Sequence, residues 1–354
     1  MVTRSAACPA PPGGVGRRSL LLGAAAWCTA AAAGCSPGAG ASPASRTTPP
    51  AAGTRPPAGA AASPSAPAPA PSGKLPAAAP WRPGPGEIEP AAKLAAVRLV
   101  EALGTWPSGR GGPGGAAARA AALGIAAPLA TRLAAQAGPL TPAADQAVLR
   151  VIDAQYGGLL PDTASVLVPY TQSTRTGSAV HEGGTTVDVR LARTRAGWAV
   201  TALHPGRPGP PAAALGASAR AVLARPRIEL PPAAAADVRS GTVHESVLRA
   251  MLRLADTYRM SVSVVRSGHP TNVFGTGRPS DHPPGRAFDV WRVDGRPVVD
   301  PATPRSLITA FMRAAAAAGS YNVGGPVRLS GGIGPNQFFS DATHHDHVHV
   351  GFTG

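Results

Sequence analysis

Near the end of the chain, His344-His345-Asp346-His347-Val348-His349-Val350-Gly351-Phe352 holds four of the protein's 9 histidines. In an extended strand His347 and His349 share one face, while Val348, Val350 and Phe352 occupy the other and suit a core. Two imidazoles so placed can point at one ion, and the apolar alternation argues against an accidental cluster or an added tag. A second pair stands upstream in Ser280-Asp281-His282-Pro283-Pro284-Gly285-Arg286-Ala287-Phe288-Asp289-Val290. Arg286 to Val290 alternates as a strand, with Ala287 and Asp289 facing one way and Phe288 the other. Pro283-Pro284-Gly285 reads as a turn that returns His282 to the side of Asp289. An imidazole and a carboxylate presented together suit a divalent cation such as Zn²⁺. Cys8, Cys28 and Cys35 are the chain's three cysteines. All precede the foldable sequence, so metal ligands there must be His, Asp or Glu.

The pattern Ser280-x-His282-x-x-Gly285-x-Ala287-x-Asp289, followed by His347-x-His349, resembles the lysostaphin, D-alanyl-D-alanine carboxypeptidase and hedgehog superfamily of zinc metallopeptidases. The resemblance covers roughly the last 130 residues. It implies that His282, Asp289 and His349 hold zinc and that His347 lies in the active site; His344 matches a histidine that some members carry. Three protein ligands leave one tetrahedral position open, which is the catalytic kind of site. The implied reaction is amide hydrolysis in peptidoglycan peptides. The base is either Asp346, where many members carry Glu, or His347. Asp346 also fits a role orienting a histidine. Members often carry Ser-Gly-Tyr-Arg after the first strand, where this chain has Ser267-Gly268-His269-Pro270. Its arginine comes earlier, as Arg266, the candidate for substrate or oxyanion contact. Ser280 and His344 complete the substrate-side candidates, and Ser280 fits a turn cap equally well. The departure at Arg266 keeps a second reading open, a zinc-stabilised wall-binding or protein-binding module without catalysis.

These residues need a scaffold. Thr242-Val243-His244-Glu245 has the form of a capping box. Val243, Val247, Leu248, Met251, Leu252, Ala255 and Tyr258 share one face, so 242–258 is expected to be a helix on a core. Ser261–Val265 is expected to be a strand. Trp291 and Phe338-Phe339 read as core. Upstream, a helical pattern begins at Glu89-Pro90, residues 116–136 are Ala-rich and helical, and a third helix fits Thr141 to Tyr156 with Thr141 as its N-cap. The period then becomes two. Ala164–Tyr170 reads as a strand, and Thr185–Arg193 and Trp198–Leu203 as a hairpin about Arg195-Ala196-Gly197. Helices followed by such a sheet loosely resemble the cone of nuclear-transport-factor-two-like domains. His181 and His204 are isolated and read as surface residues.

The first 35 residues carry a different message. Arg17-Arg18 opens an apolar run that ends at Ala32-Ala33-Gly34-Cys35. A charged start, a short apolar stretch and small residues describe a secretory signal. The paired arginines resemble a twin-arginine signal, and the ending resembles a lipobox, which makes Cys35 the expected lipidation site. Residues 36–84 are nearly all Pro, Ala, Ser, Gly and Thr, too poor in apolar surface to fold. At roughly 3 Å per residue such a stretch would extend far from a membrane anchor. The formal charge of +15 comes from scattered arginines, with Lys74 and Lys93 the two lysines. That distribution fits a GC-rich coding bias, and no nucleic-acid partner is expected.

The expected protein is therefore α+β. Residues 1–34 are the export signal, 35–85 a disordered tether, 86–205 a helical and curved-sheet domain, 206–220 a linker, and 221–354 a metallopeptidase-like domain with a small antiparallel sheet and flanking helices. The expected location is the outer face of the cell membrane, facing the wall.

Overall fold

A computed structural model describes residues 74–353; the expected export signal, Cys35 and most of the expected tether lie outside these residues. Residues 74–85 have no helix or strand, and Trp81 packs against the middle domain while its backbone N–H donates to Glu101.

The architecture is mixed α+β, with separate apolar cores in the middle and C-terminal domains. The middle domain opens with α1 (Pro90–Gly104), α2 (Gly112–Ala121) and α3 (Ala127–Gln136). The Ala-rich stretch expected as one helix is two, because Gly124 takes φ +82°, a left-handed conformation that ends the first. The helix expected over Thr141–Tyr156 is absent. In its place stand β1 (Gln146–Val151) and β2 (Gln155–Leu159). Ala147, Leu149 and Val151 are buried at every second position, so tertiary pairing and period two override the local helical signal.

β3 (Thr163–Thr176), β4 (Ala179–Gly183), β5 (Thr186–Thr194) and β6 (Gly197–Pro205) complete this sheet. The first half of β3 lies between β2 and β5, and its second half between β1 and β4, all antiparallel. The β5–β6 hairpin forms as its alternation predicts.

The C-terminal domain comprises α4 (Ala217–Ala224), β7 (Ile228–Glu229), α5 (Pro232–Arg239), α6 (Glu245–Ala255), β8 (Met260–Val264), β9 (Ala287–Val293), β10 (Arg296–Pro297), α7 (Arg305–Ala317), β11 (Asn322–Gly324), β12 (Phe338–Phe339) and β13 (Val348–Gly351). Strand order is β12-β11-β13-β9-β8-β7, with β10 on β9. The four central strands are antiparallel, but β7 and β12 pair in parallel, so the sheet is mixed. Phe288, Val290, Val348 and Val350 face a core shared with α6 and α7.

The helix expected over 242–258 is shorter, and Thr242 does not cap it. His244 is the N-cap, without a side-chain cap bond. The Thr242 hydroxyl instead bonds Ser240, 2.7 Å away.

Candidate metal centre

Strand register builds the site. On β9, Asp289 points away from the core that takes Phe288 and Val290. His349 on β13 lies directly opposite Asp289 in the antiparallel register. Opposed residues on neighbouring strands sit within about 5.5 Å, with side chains on the same face. His282 arrives through the reverse turn that the Pro-Pro-Gly sequence predicts, with Gly285 N–H donating to the His282 carbonyl at 2.8 Å. Gly285 has φ +77°, and a Cβ there would come within 2.2 Å of the Thr242 carbonyl oxygen. Only glycine passes the chain through that point.

His282 Nε2, Asp289 Oδ1 and His349 Nδ1 form a nearly equilateral triangle. Its sides are 3.2 Å (His282 to Asp289), 3.1 Å (His282 to His349) and 3.0 Å (His349 to Asp289). A cation just off that plane would stand about 2 Å from each atom, an ordinary coordination length. His282 Nδ1 donates its N–H to the Val265 carbonyl oxygen at 2.7 Å, which turns Nε2 toward Asp289 and His349. Burial holds the His349 imidazole down to about 4 against the opposing pull of Asp289, so this ring is neutral near pH 7. Burial alone would raise Asp289, but the His282 and His347 rings and the hydrogen bonds to His282 and His349 hold it well below the usual carboxylate range. Two imidazoles and a carboxylate aimed at one point have the chemistry and the spacing to hold a metal ion.

His269 is a residue the sequence reasoning passed over. Its ring stacks on His282 with centroids 3.9 Å apart, and His269, His282 and Asp289 offer ligand atoms within 4.8 Å of one another. His349 makes the tighter set with His282 and Asp289, as the 3.0–3.2 Å sides show. Stacked parallel on the His282 ring, His269 lies against a ligand face. Burial and the neighbouring His282 lower its pKa well below the ordinary imidazole value.

His347 immediately precedes β13, and its Nε2 lies 3.8 Å from Asp289 Oδ2. Its Nδ1 is 2.6 Å from Asp346 Oδ1. The other oxygen of Asp346 takes Lys93 Nζ at 2.6 Å and the Tyr156 N–H at 3.1 Å. Asp346 thus stands behind His347 with both oxygens engaged. His347, not Asp346, lines the neighbouring cleft.

That cleft, about 790 Å³, lies between the two domains. Tyr156 to Leu160 of the middle domain form one wall; Arg278, Tyr321, Phe339 and His344 stand on the other side. Phe339, expected as core, instead faces the cleft and packs edge-on against His344. His344 bonds Asp341 at 2.8 Å. Ser280 lines the cleft and also acts within the turn, its Oγ accepting from the His282 N–H at 3.3 Å and lying 3.3 Å from His269 Nδ1. Arg266 is turned elsewhere. Its Nε donates to the Pro283 carbonyl, and the side chain lines a separate pocket beside Asp188, His204 and Arg207.

Gln155, Lys93 and Tyr156 were also missed. Lys93 left a faint signal, as the one lysine of the folded region set on a buried helical face. Gln155 left none. No protein-family model, curated protein or solved structure matches the chain.

Proposed function

We propose that the chain is an exported, lipid-anchored, zinc-dependent peptidase that hydrolyses amide bonds in peptidoglycan peptides, of the D,D- or L,D-carboxypeptidase or endopeptidase type. The observation that carries this reading is the 3.0–3.2 Å triangle of His282, Asp289 and His349 beside a cleft that also holds His347. Two imidazoles and one carboxylate fit zinc, and three ligands leave a position open. What zinc supplies when bound is Lewis acidity toward an amide carbonyl and toward water.

The chain's own residues supply the rest. His347, with Nδ1–H held by Asp346, presents Nε2 as the atom that takes a proton from the attacking water and returns it to the leaving amine. Asp346 then steadies the imidazolium. The peptide's proposed seat is the cleft lined by Gly157, Gly158 and Phe339. The export signal and Cys35 put the reaction outside the membrane, and the Pro-rich segment gives it reach into the wall.

One observation favours a second reading, the binding module without turnover: Arg266 faces away from the cleft, so the arginine expected at the oxyanion is not supplied from that position. Zinc-loaded protein incubated with muropeptides, with products resolved by mass spectrometry, separates the two. The peptidase reading expects chelator-sensitive cleavage. Intact muropeptides with zinc bound would leave only the module.

A further inference from the structure

The two domains have separate cores, yet the metal centre draws polar contacts from both. Gln155 is fully buried at the start of β2 in the middle domain. Its Nε2 donates to Asp289 Oδ2 at 2.6 Å, and its Oε1 accepts from the Ser263 hydroxyl on β8. The carboxylate fixes which end of the amide points where, because it only accepts and so must face the NH₂; the serine hydroxyl then donates to the amide oxygen. The Gln155 NH₂ occupies Asp289 Oδ2 and leaves Oδ1 facing His282 and His349.

Lys93 on α1 is fully buried as well. Its ammonium bonds Asp346 and Glu87. A buried ammonium is costly unless paired, and here the pairing reaches across the domains to the carboxylate that holds His347. The Tyr156 N–H adds a second middle-domain donor to the same carboxylate oxygen. Two further contacts close the seam: Ile88 N–H to His345, and Leu159 N–H to Thr343.

We propose that the middle domain is a working part of this site rather than a spacer. Gln155 is a positioning residue for Asp289, and Lys93 is a positioning residue for the Asp346–His347 pair. The Lys93 half rests on the peptidase reading; the Gln155 half requires only that the triangle binds metal.

The test uses the full chain. Zn²⁺ affinity is measured by competition with a chromophoric chelator, and the visible spectrum of the Co²⁺-substituted protein reports ligand geometry. Gln155→Leu is expected to weaken Zn²⁺ binding about 10- to 100-fold, the usual consequence of removing a hydrogen-bond partner of a ligand, and to alter the Co²⁺ bands. Ser263→Ala, which leaves the amide oxygen without its donor, serves if Gln155→Leu does not fold, with an expected loss at the low end of that range, about tenfold. Lys93→Met is expected to lower kcat about tenfold with KM little changed, while Zn²⁺ affinity holds. Lys93→Arg, which keeps the charge, is expected to recover part of that loss, and Lys93→Gln, neutral like the methionine variant, replaces Lys93→Met if the latter does not fold. Unchanged Zn²⁺ affinity and Co²⁺ spectrum in the Gln155 variant, or in Ser263→Ala where that stands in, overturn the role given to Gln155. Unchanged kcat in Lys93→Met, or in Lys93→Gln where that stands in, overturns the role given to Lys93. If the wild-type chain cleaves no muropeptide, the peptidase reading and the Lys93 role fall together, and the Zn²⁺ affinity of Gln155→Leu still decides the middle domain's part.

Discussion

The C-terminal and middle domains divide the work of the site differently. In the C-terminal domain one sheet does two jobs: Phe288, Val290, Val348 and Val350 build the core from one face, and Asp289 and His349 present the candidate ligands on the other. In the middle domain the buried polar groups Gln155 and Lys93 reach the neighbouring domain, Gln155 with both ends of its amide and Lys93 with one of its two ion pairs. Ligands can be specified by alternation along a strand. Their orientation needs donors from outside that strand, because a carboxylate on a sheet can still rotate about its own side-chain bonds. The comparison separates a domain that carries the candidate ligands from a domain that hydrogen-bonds the groups around them.

The largest effect expected is that of His349→Ala. It removes one of three ligands, and zinc affinity and any hydrolysis should fall at least about 1000-fold. Near-normal zinc binding in this variant would point to His269 as the third ligand and shift the centre away from β13.

A pair of core truncations sharpens the contrast. Phe288→Ala and Leu133→Ala each empty a fully buried site, one beside Asp289 and one on α3. Both should lower stability by about 2–5 kcal/mol in denaturant titration. Only Phe288→Ala should also weaken zinc binding, because its backbone carries the ligand. Equal effects of both on zinc would erase the division between the domains.

Gly285→Ala comes next. The left-handed backbone and the nearby Thr242 carbonyl should cost about 1–3 kcal/mol and displace His282. Reduced zinc affinity with the C-terminal sheet retained in circular dichroism would confirm that this turn delivers His282. Unchanged affinity would refute it.

The smallest effect tests the seam. Burial raises Glu87 to about 7, against the pull of Lys93, and raises Asp153 to about 6. One ammonium cannot balance Glu87, Asp153 and Asp346 together. Asp346, held low by Lys93 and His347 in spite of burial, keeps its charge while the other two hold protons longer. His345 also faces this cluster, 3.9 Å from Glu87. A raised carboxylate contributes stability below its unfolded pKa of about 4.5 and loses it as pH rises through the folded value. The wild-type chain should therefore lose melting temperature between pH 5 and pH 8 relative to Glu87→Gln, by an amount on the order of a few degrees. Parallel melting curves across that window would contradict the arrangement.

Much of the C-terminal site was readable in the chain because the geometry there is local. The Pro-Pro-Gly turn and the alternation around Asp289 put His282 beside it, and the two-residue spacing of His347 and His349 turned both toward the same cleft. Thr141–Tyr156 was misread because Thr-Pro is a valid helix start; pairing of Gln146–Val151 with the distant β3 prevailed over that local preference. The capping box at Thr242 failed for a related reason, since the residue is committed to Ser240 and its carbonyl faces Gly285.

Residue types and short spacings, on their own, determined the donor inventory, the absence of cysteine from the foldable region, and the turn and strands that present His282, Asp289 and His349. Tertiary structure alone decided that β9 and β13 meet with Asp289 opposite His349, that Arg266 leaves the cleft, and that Gln155 reaches a carboxylate 134 residues away. The physical reason is range. Side-chain period and turn chemistry act over a few residues, whereas a hydrogen bond between domains exists only after two separately built cores have docked, and no pattern in either segment encodes that meeting.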